Sequence, residues 1–349
     1  MTPNPLATRP VLAIVSNADA RFMPGLAVAL SSAVAAASGD FDYRFLILDG
    51  GLPDHALQDL NHSLHSIAQH KGIRAWIEPL AIDENRLAAL PERRGSRMTY
   101  AKLVLPEILS QLESIIYLDA DVLCFKGIES VCPPALNHSY LLAGARDYFW
   151  VIEKDCPWLE QVPQAERQLP YINCGVMWMN LKALREMNFT DASITARAAI
   201  GEARQGDQSV FNFLCRGRSF ILPDSINHRT AIGSSKQLCE GDLDLNLHYI
   251  GAPKPWLGAP KTSNWLAHRL WHQAQSMLFP ALEHAPPILP THDLSIIRRK
   301  TLLYTLVNPP RAKNYRNDIR SLTDPAGILE KAENHWTTQL PQHAASHRP

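Results

Sequence analysis

Two aspartates, Asp119 and Asp121, directly follow the short apolar run Ser114–Leu118. The isoleucines and the tyrosine of that run predict a buried strand of a parallel sheet. Open α/β sheets bind ligands at the carboxyl ends of their strands, where two carboxylates in a tight turn could hold one hard cation beside a phosphate. A solvated turn is the alternative, because aspartate is also common in surface turns. A second polar cluster far downstream, His248–Trp256, favours a ligand site.

The elements that must position these aspartates alternate along the first third of the chain. Short runs rich in β-branched residues alternate with longer segments of helical pattern. This alternation predicts parallel βαβ units with right-handed crossovers. The predicted elements are strand Val11–Val15, helix Leu26–Ala37, strand Arg44–Leu48, helix Asp54–Gln69, strand Ile73–Glu78 and helix Thr99–Leu112 with a bend at Pro106.

The composition excludes several classes of protein. With 34 basic and 34 acidic residues the formal net charge is zero, so the total charge predicts no attraction to nucleic acid. The six cysteines lack C-x-x-C spacing and are expected to be buried thiols of a reducing compartment. The uncharged run Phe22–Gly39 lies between two predicted strands and predicts an internal helix, not a membrane span. Because the first ten residues lack the pattern of a secretory signal, we expect a cytoplasmic protein.

The composition changes near residue 280, which predicts a main domain at residues 10–280 and a C-terminal extension at residues 281–349. Within the extension, residues 296–320 carry seven basic residues and one acidic residue, interleaved with leucine and tyrosine. This composition suits the anionic face of a membrane. The alternative is a solvated basic helix that docks on an acidic surface of the protein itself. The tail beyond Pro341 is expected to be disordered.

Four motifs occur in one order along the chain: Leu118–Val122 (LDADV), Tyr171–Lys182 (YINCGVMWMNLK), Asp207-Gln208 and His248–Trp256 (HYIGAPKPW). Their order and spacing resemble family 8 of the retaining glycosyltransferases, which includes bacterial lipopolysaccharide hexosyltransferases and glycogenin. The resemblance covers about residues 10–260. It implies an α/β protein of the GT-A type, in which a Rossmann-like nucleotide-binding half and an acceptor half share one continuous mixed sheet.

The resemblance also implies a metal site and a diphosphate site. The metal ligands of the family correspond to Asp119, Asp121 and His248, although His248 could instead be a partly buried structural histidine. Two carboxylates and one imidazole suit manganese, with magnesium as the second candidate. Lys254 corresponds to the lysine that contacts the diphosphate, and Gly251 would let the backbone approach the same phosphates.

Three residues correspond to family positions that contact the nucleotide. Asp19 corresponds to the acid near the uracil base, with an N-cap of the following helix as the alternative. Phe22 lies where the family often stacks an aromatic ring. Lys102 stands where the bacterial branch usually has arginine, and it is expected to contact the donor phosphates or else to be an exposed helix lysine.

Four residues correspond to positions around the donor sugar. Asp147 and Asn173 are expected to bind sugar hydroxyls, and Asp207 and Gln208 to flank the sugar with the glutamine amide facing the reacting carbon. Asp207 and Gln208 are therefore the candidate catalytic residues. The structural alternatives are a helix N-cap for Asp207 and a turn residue for Asn173.

The implied reaction transfers a hexose from UDP-glucose or UDP-galactose to a glycan or lipid-linked acceptor such as lipopolysaccharide core, with the α configuration retained. Peripheral contact with the inner face of the membrane would bring the enzyme to such an acceptor. A haloacid-dehalogenase-type phosphatase is an alternative, because Leu118–Leu123 also fits its D-x-D-x-[TV] motif. That motif normally follows the first strand, whereas several predicted strands precede Asp119. A non-catalytic carbohydrate-binding relative is the third hypothesis.

Overall fold

The computed structural model describes residues 9–80, 98–133, 139–155, 159–199, 205–230, 235–258, 261, 264–282 and 291–341. The expected disordered tail beyond Pro341 lies outside these residues. The strands within them are β1 (Val11–Ala18), β2 (Asp42–Asp49), β3 (Ala75–Leu80), β4 (Ser114–Leu118), β5 (Val122–Cys124), β6 (Leu142–Val151), β7 (Pro170–Asn180), β8 (Ser219–Leu222), β9 (His228–Arg229) and β10 (Asn246–His248).

The main sheet has seven strands in the order β3-β2-β1-β4-β7-β6-β8. Strands β3, β2, β1 and β4 run parallel to one another, whereas β7 runs antiparallel to both β4 and β6. A smaller sheet has the order β5-β10-β9. The parallel half confirms the predicted βαβ units, and the antiparallel continuation confirms the expected mixed sheet.

The helices surround this sheet and are labelled here in chain order. They are α1 (Met23–Ala35), α2 (Asp54–His70), α3 (Leu105–Ile108), α4 (Leu181–Glu186), α5 (Phe189–Ala199), α6 (Asp207–Leu214), α7 (Ser235–Cys239), α8 (Trp265–Leu278), α9 (Thr291–Val307), α10 (Pro309–Arg320) and α11 (Ile328–Gln339). Twelve of the thirteen residues of α1 are buried, which confirms the prediction of an internal helix. Within the described ranges, no helix combines the length and the apolar character needed to cross a bilayer.

Two hydrophobic clusters cover the two faces of the main sheet. Neighbouring residues of β1 enter different clusters, since Ile14 belongs to the first and Val15 to the second, as expected for side chains that alternate along a strand. Helices α1, α2, α8 and α11 supply the first cluster, and residues 98–109 with helices α4 to α6 supply the second. Burial on both faces explains why β1 and β4 are almost wholly apolar.

The predicted helix Thr99–Leu112 is wrong in type and length. Residues Met98–Val104 form a 3-10 helix, and only the short α3 follows. Pro106 has no N–H and cannot donate to the carbonyl of Lys102, so a continuous α-helical ladder cannot form across this point. The resulting turns bury Lys102, which the alternative prediction placed on an exposed helix face.

The last helix of the C-terminal extension packs into the first hydrophobic cluster. The indole of Trp336 in α11 is fully buried and stacks on Phe125, with ring centroids 4.8 Å apart. Ile328 and Ala332 belong to the same cluster. Helices α9 and α10 lie before it in the chain and pack against each other through Tyr304 and Tyr315, whose rings stack at 5.9 Å.

The cysteines fit the expectation of buried thiols within the described residues. Cys124, Cys174, Cys215 and Cys239 are free and buried, and Cys132 is free and half-buried. Burial raises the pKa of the Cys124 thiol to about 12, so this thiol stays protonated at neutral pH.

One buried histidine, His268, and one half-buried histidine, His335, should make the fold sensitive to acid. Burial, His272 and Lys254 lower the pKa of His268 to about 3, and burial and Lys71 lower the pKa of His335. Unfolded histidine has a pKa of about 6.5. The unfolded state therefore takes up more protons below that pH, and the free energy of unfolding falls as the pH is lowered toward the folded pKa.

We predict a loss of up to about 3 kcal/mol from His268 between pH 7 and pH 4.5, at roughly 1.4 kcal/mol per pH unit. Urea denaturation across this range should show a smaller pH slope for the His268→Leu, His335→Leu double variant. His55→Leu is the control, because His55 is exposed. An unchanged slope in the double variant would show that these histidines are not the acid-sensitive groups.

Candidate functional site

Two pairs of strands, β4 with β7 and β5 with β10, bring the two predicted motifs together. Asp119 follows β4, and its N–H donates to the carbonyl of Gly175 in β7 at 2.7 Å. Asp121 precedes β5, which pairs antiparallel with β10 so that His248 lies opposite Val122. The N–H of Tyr249 donates to the carbonyl of Asp121 at 2.9 Å. This register places the downstream imidazole beside both aspartates.

The three predicted metal ligands form one cluster. Asp119, Asp121 and His248 each offer a ligand atom, and these atoms lie within 4.8 Å of one another. Nε2 of His248 is 3.2 Å from Oδ1 of Asp121 and 3.7 Å from Oδ2 of Asp119. Two carboxylate oxygens and an imidazole nitrogen form a donor set that suits a divalent cation such as manganese. The residues therefore fit a metal ion.

Lys254 and the two aspartates determine the charge around this cluster. Burial alone would raise the pKa of Asp121, but contacts with Lys254 and His248 outweigh it and hold that pKa below its ordinary value. The ammonium group of Lys254 binds Oδ2 of Asp121 and donates to the carbonyl of Tyr249 at 2.6 Å. Burial raises the pKa of Asp119, although Lys102 partly counteracts it.

Lys102 is a buried bridge between two carboxylates. Its Nζ lies 3.0 Å from Oδ2 of Asp207 and 3.4 Å from Oδ1 of Asp119, and it sits 4.4 Å from the centre of the Tyr117 ring. Burial alone would lower the pKa of Lys102, but the carboxylates of Asp119 and Asp207 raise it well above its ordinary value. Lys102 therefore remains charged and neutralises part of the negative charge at the site.

These residues lie on one open cavity with a volume of about 640 Å³. Its walls come from the carboxyl ends of β1 and β4, from the 3-10 helix at residues 98–104 and from the segment after β10. The lining residues include Asn17, Asp19, Arg21, Phe22, Thr99, Lys102, Asp119, Asp121, Asp207, His248, Gly251 and Lys254. The sequence placed most of these residues in one site, and the cavity brings them together.

Asp19 lines this cavity and also orders the turn before α1. Its Oδ1 accepts hydrogen bonds from the N–H groups of Arg21 at 2.9 Å and Phe22 at 3.2 Å. The N-cap of α1 is Phe22, without a side-chain cap, so the alternative prediction of Asp19 as the N-cap is wrong. The ring of Phe22 packs edge-on against Trp256, with centroids 5.6 Å apart. Trp256 donates from Nε1 to the carbonyl of Arg21 at 2.8 Å and also contacts Trp271, which shows a packing role for this tryptophan.

Of the four residues predicted around the donor sugar, Asp207 lines the cavity, whereas Asp147, Asn173 and Gln208 form a buried polar group that is not part of the lining. Nδ2 of Asn173 and Nε2 of Gln208 both donate to Oδ2 of Asp147, at 2.9 Å and 2.5 Å. Oε1 of Gln208 accepts from the N–H of Cys174 at 3.1 Å. Both ends of the glutamine side chain are therefore held. Nη1 of the Arg229 guanidinium lies 3.8 Å from Oδ1 of Asp147.

Sequence reasoning missed Gly175 and Asn227. A Cβ on Gly175 would lie 2.2 Å from Cε1 of His248 and 2.9 Å from Oδ2 of Asp119, so only glycine leaves room for this cluster. Oδ1 of Asn227 is 2.9 Å from Nδ1 of His248. Neither residue is of a type, or at a spacing, that is typical of a metal ligand. Gly175 does lie inside the Tyr171–Lys182 motif.

Gly251 adopts the backbone conformation that the segment after β10 needs. Its φ is +75°, in the left-handed region that favours glycine, and a Cβ at this position would meet no atom within 4 Å. Glycine is therefore required here by the left-handed backbone conformation, because a side chain at this position would not collide with neighbouring atoms. Gly251 lines the cavity together with Lys254, and an anionic ligand could approach the main chain between them.

Comparison with known proteins gives a consistent result. Residues 13–259 match the family described as Glycosyl transferase family 8. The chain is 26% identical to a lipopolysaccharide 1,2-glucosyltransferase of Escherichia coli strain K12 over 262 residues, which cover 71% of this chain and 74% of that protein. A second lipopolysaccharide 1,2-glucosyltransferase of Escherichia coli is 28% identical over 195 residues, 50% of this chain and 54% of that protein.

The fold is also found among solved structures. Galactosyltransferase LgtC, in complex with donor and acceptor sugar analogues, superposes with a TM-score of 0.59 at 22% identity, over 79% of this chain and 98% of that chain. WbbM, a bifunctional glycosyltransferase, superposes with a TM-score of 0.56 at 17% identity, over 74% of this chain and 48% of that chain. These likenesses confirm the expected GT-A fold.

Replacing Gly175 by alanine should disrupt the candidate metal cluster. The new methyl group would collide with the imidazole of His248 and with Asp119. We therefore expect manganese affinity to fall by at least ~10-fold, because mutations that disturb the support of metal ligands typically cost about 10–100-fold in affinity. Titration calorimetry with Mn²⁺ measures this. Gly144→Ala is the matched control in the neighbouring strand, since its Cβ would meet nothing closer than 3.4 Å. Equal affinities in both variants would contradict the proposed cluster.

Proposed function

The chain belongs to glycosyltransferase family 8, and on that premise we propose that it transfers glucose or galactose from a UDP-sugar to a glycan acceptor with retention of the α configuration. The observation that carries this proposal is the cluster of Asp119, Asp121 and His248 on one cavity with Lys254. Carboxylates, an imidazole and an ammonium group around one cavity suit a diphosphate that arrives with a divalent cation.

The remaining cavity residues suit the other parts of a UDP-sugar. Asp19 and Phe22 line the end of the cavity near α1, where a carboxylate could accept the uracil N–H and a ring could stack on the base. The polar group of Asp147, Asn173 and Gln208 adjoins the cavity through Asp207, the chain neighbour of Gln208 that lines it, and it would meet the sugar hydroxyls. Their mutual hydrogen bonds hold these side chains in fixed orientations.

A divalent cation bound by Asp119, Asp121 and His248 would supply positive charge that stabilises the departing diphosphate. Lys254 would bind diphosphate oxygens as a point charge at the same cavity wall. Lys102 contacts Asp119 and Asp207 directly, so its proposed role is to keep these carboxylates in place next to the donor.

The acceptor hydroxyl would attack the anomeric carbon on the face from which UDP leaves. The new bond joins the acceptor oxygen to that carbon, the bond to the phosphate oxygen breaks, and the departing oxygen takes the hydroxyl proton. Gln208 is a poor nucleophile because an amide carries no negative charge, and both ends of its side chain are already held. We therefore assign it to shielding and orienting the sugar.

The acceptor is proposed from the relatives. Two similar proteins of Escherichia coli are lipopolysaccharide 1,2-glucosyltransferases, so a lipopolysaccharide core oligosaccharide is the acceptor class that we propose. Manganese is the proposed cation, and magnesium is the second candidate, because an imidazole in the donor set favours the softer ion.

The family match leaves the phosphatase alternative without support. Asp242 and Asp244, whose spacing loosely resembles the distal acidic motif of such phosphatases, do not belong to the cavity lining. Asp244 instead pairs with Lys126 at 2.8 Å on the surface. A non-catalytic relative is disfavoured because all three members of the candidate metal cluster are present.

Manganese should be required for turnover of the donor. We expect release of UDP from UDP-glucose or UDP-galactose with manganese, loss of that release in EDTA, and recovery when manganese is returned. His248→Ala should lower turnover by at least ~100-fold, as for the loss of one electrostatic group at a reacting centre. A coupled UDP assay over a panel of nucleotide sugars measures this.

The matched control is His228→Ala, because His228 is as deeply buried as His248 and lies in the neighbouring strand β9 outside the cavity lining. This variant should keep donor turnover within a few-fold of the wild type. Full activity in EDTA, or an unaffected His248→Ala enzyme, would contradict the proposal.

We also propose that α9 and α10 attach the enzyme to an anionic membrane surface, which would bring it to a lipid-linked acceptor. In α9, Leu302 is 77% exposed, Leu303 61% and Leu306 88%, a large apolar area for one helix. The seven basic residues of this segment are exposed: Arg298, Arg299, Lys300, Arg311, Lys313, Arg316 and Arg320. Its one acidic residue, Asp318, is buried. Exposed leucines beside basic side chains suit the interface of an anionic bilayer.

Removing charge from α9 should weaken membrane binding. Each basic residue near an anionic surface contributes on the order of 1 kcal/mol at low salt. The triple variant Arg298→Gln, Arg299→Gln, Lys300→Gln should therefore reduce partitioning to phosphatidylglycerol vesicles by on the order of 100-fold, with donor turnover unchanged. Co-sedimentation at low and high salt measures the partitioning.

The control removes three exposed lysines elsewhere on the surface, Lys182, Lys236 and Lys331, each replaced by glutamine. Equal losses in the two triple variants would show that net charge and not this segment governs binding. In that case the solvated basic helix would be the correct interpretation.

A further inference from the structure

The two ring nitrogens of His248 have different surroundings. Nε2 faces the carboxylates of Asp119 and Asp121. Nδ1 lies 2.9 Å from Oδ1 of Asn227, a fully buried residue at the end of the short 3-10 helix before β9. An imidazole can bind a cation only through a nitrogen that carries no proton, so the proton must reside on one particular nitrogen.

The orientation of the neighbouring amides can be traced from a carboxylate. A carboxylate only accepts hydrogen bonds, so the group of Asn173 that lies 2.9 Å from Asp147 is its NH₂ group. Oδ1 of Asn173 therefore points the other way, where it accepts from the N–H of Gly175 at 3.0 Å and from Nδ2 of Asn227 at 2.8 Å. The main-chain N–H of Gly175 can only donate, so the atom of Asn173 that it contacts must be the oxygen. This contact confirms the orientation independently of Asp147.

The same logic continues to the histidine. Because Asn227 donates its NH₂ group to Asn173, its oxygen is the atom that faces His248. An amide oxygen only accepts, so Nδ1 of His248 must carry the proton. The lone pair is then on Nε2, the nitrogen that faces the two aspartates. In this chain of hydrogen bonds His248 donates to Asn227, Asn227 donates to Asn173, and Asn173 donates to Asp147.

We propose that Asn227 is the positioning residue that fixes the tautomer and the ring orientation of His248 for cation binding. The metal role of His248 rests on the proposed function, whereas the tautomer follows from the hydrogen bonds alone. A second partner of this kind on a metal-binding histidine typically changes metal affinity by 10–100-fold when it is removed. Asn227 also ties this ligand to Asp147, the acceptor for the side chain of Gln208.

The test replaces Asn227 by leucine, which has a similar shape and no acceptor, and by aspartate, which keeps an acceptor toward His248 and loses the donor toward Asn173. Asn246→Leu is the control, because Asn246 is equally buried in β10 and its Oδ1 binds the N–H of Lys126 instead. Long-range ¹H–¹⁵N NMR of the metal-free protein at neutral to basic pH reports the tautomer of His248. Calorimetry with Mn²⁺ reports the affinity.

The wild type and the Asn246→Leu variant should show the Nδ1–H tautomer and similar manganese affinities. Asn227→Leu should shift His248 toward the Nε2–H tautomer and weaken manganese binding by roughly 10–100-fold, whereas Asn227→Asp should keep the Nδ1–H tautomer and most of the affinity. If the leucine variant does not fold, Asn227→Ala replaces it with the same expected result.

Three results would overturn the proposal: an unchanged tautomer in Asn227→Leu, an equal loss of affinity in Asn227→Asp, or an equal loss in Asn246→Leu. A wild-type protein that shows the expected tautomers but binds no manganese would instead contradict the proposed function. The tautomer measurement therefore distinguishes the failure of one proposal from the failure of the other.

Discussion

Three carboxylates concentrate negative charge at one wall of the cavity. The positions of the two lysines beside them, and of the proposed cation, follow from that charge. Asp119, Asp121 and Asp207 lie close together, with Asp121 and Asp207 buried and Asp119 half-buried. Buried carboxylates are unfavourable unless they are paired. Lys102 is shared between Asp119 and Asp207, and Lys254 contacts Asp121. Three carboxylates face two lysines, so a divalent cation would change the sign of the local charge and prepare the cavity for a diphosphate.

The sheet architecture places these groups. The antiparallel pairing of β4 with β7 brings Gly175 against Asp119, and the pairing of β5 with β10 brings His248 against Asp121. A one-residue slip in either pair would turn the side chains to the opposite face. The absent side chain of Gly175 then leaves the space that the imidazole occupies. Packing, register and charge therefore depend on one another at this point of the fold.

The sequence predicted much of this arrangement because strand patterns and metal-ligand types leave clear signals. The apolar run before Asp119 predicted β4, and the alternation of elements predicted the parallel half of the sheet. The sequence did not reveal the bridging position of Lys102, since the break at Pro106 produced a 3-10 helix where an α-helix was expected. Asn227 was also missed, because an asparagine acquires its role only through three-dimensional contacts with His248 and Asn173.

The central claim is that His248 and a diphosphate meet at one cation. Pulsed electron paramagnetic resonance of the protein with Mn²⁺ and UDP tests it, because couplings to ¹⁴N and ³¹P report the atoms bound to manganese. We expect both an imidazole nitrogen coupling and phosphorus couplings in the same complex, and we expect the nitrogen coupling alone to vanish in His248→Ala. A wild-type spectrum with phosphorus couplings but no imidazole coupling would contradict the claim, since manganese would then be bound to UDP without His248.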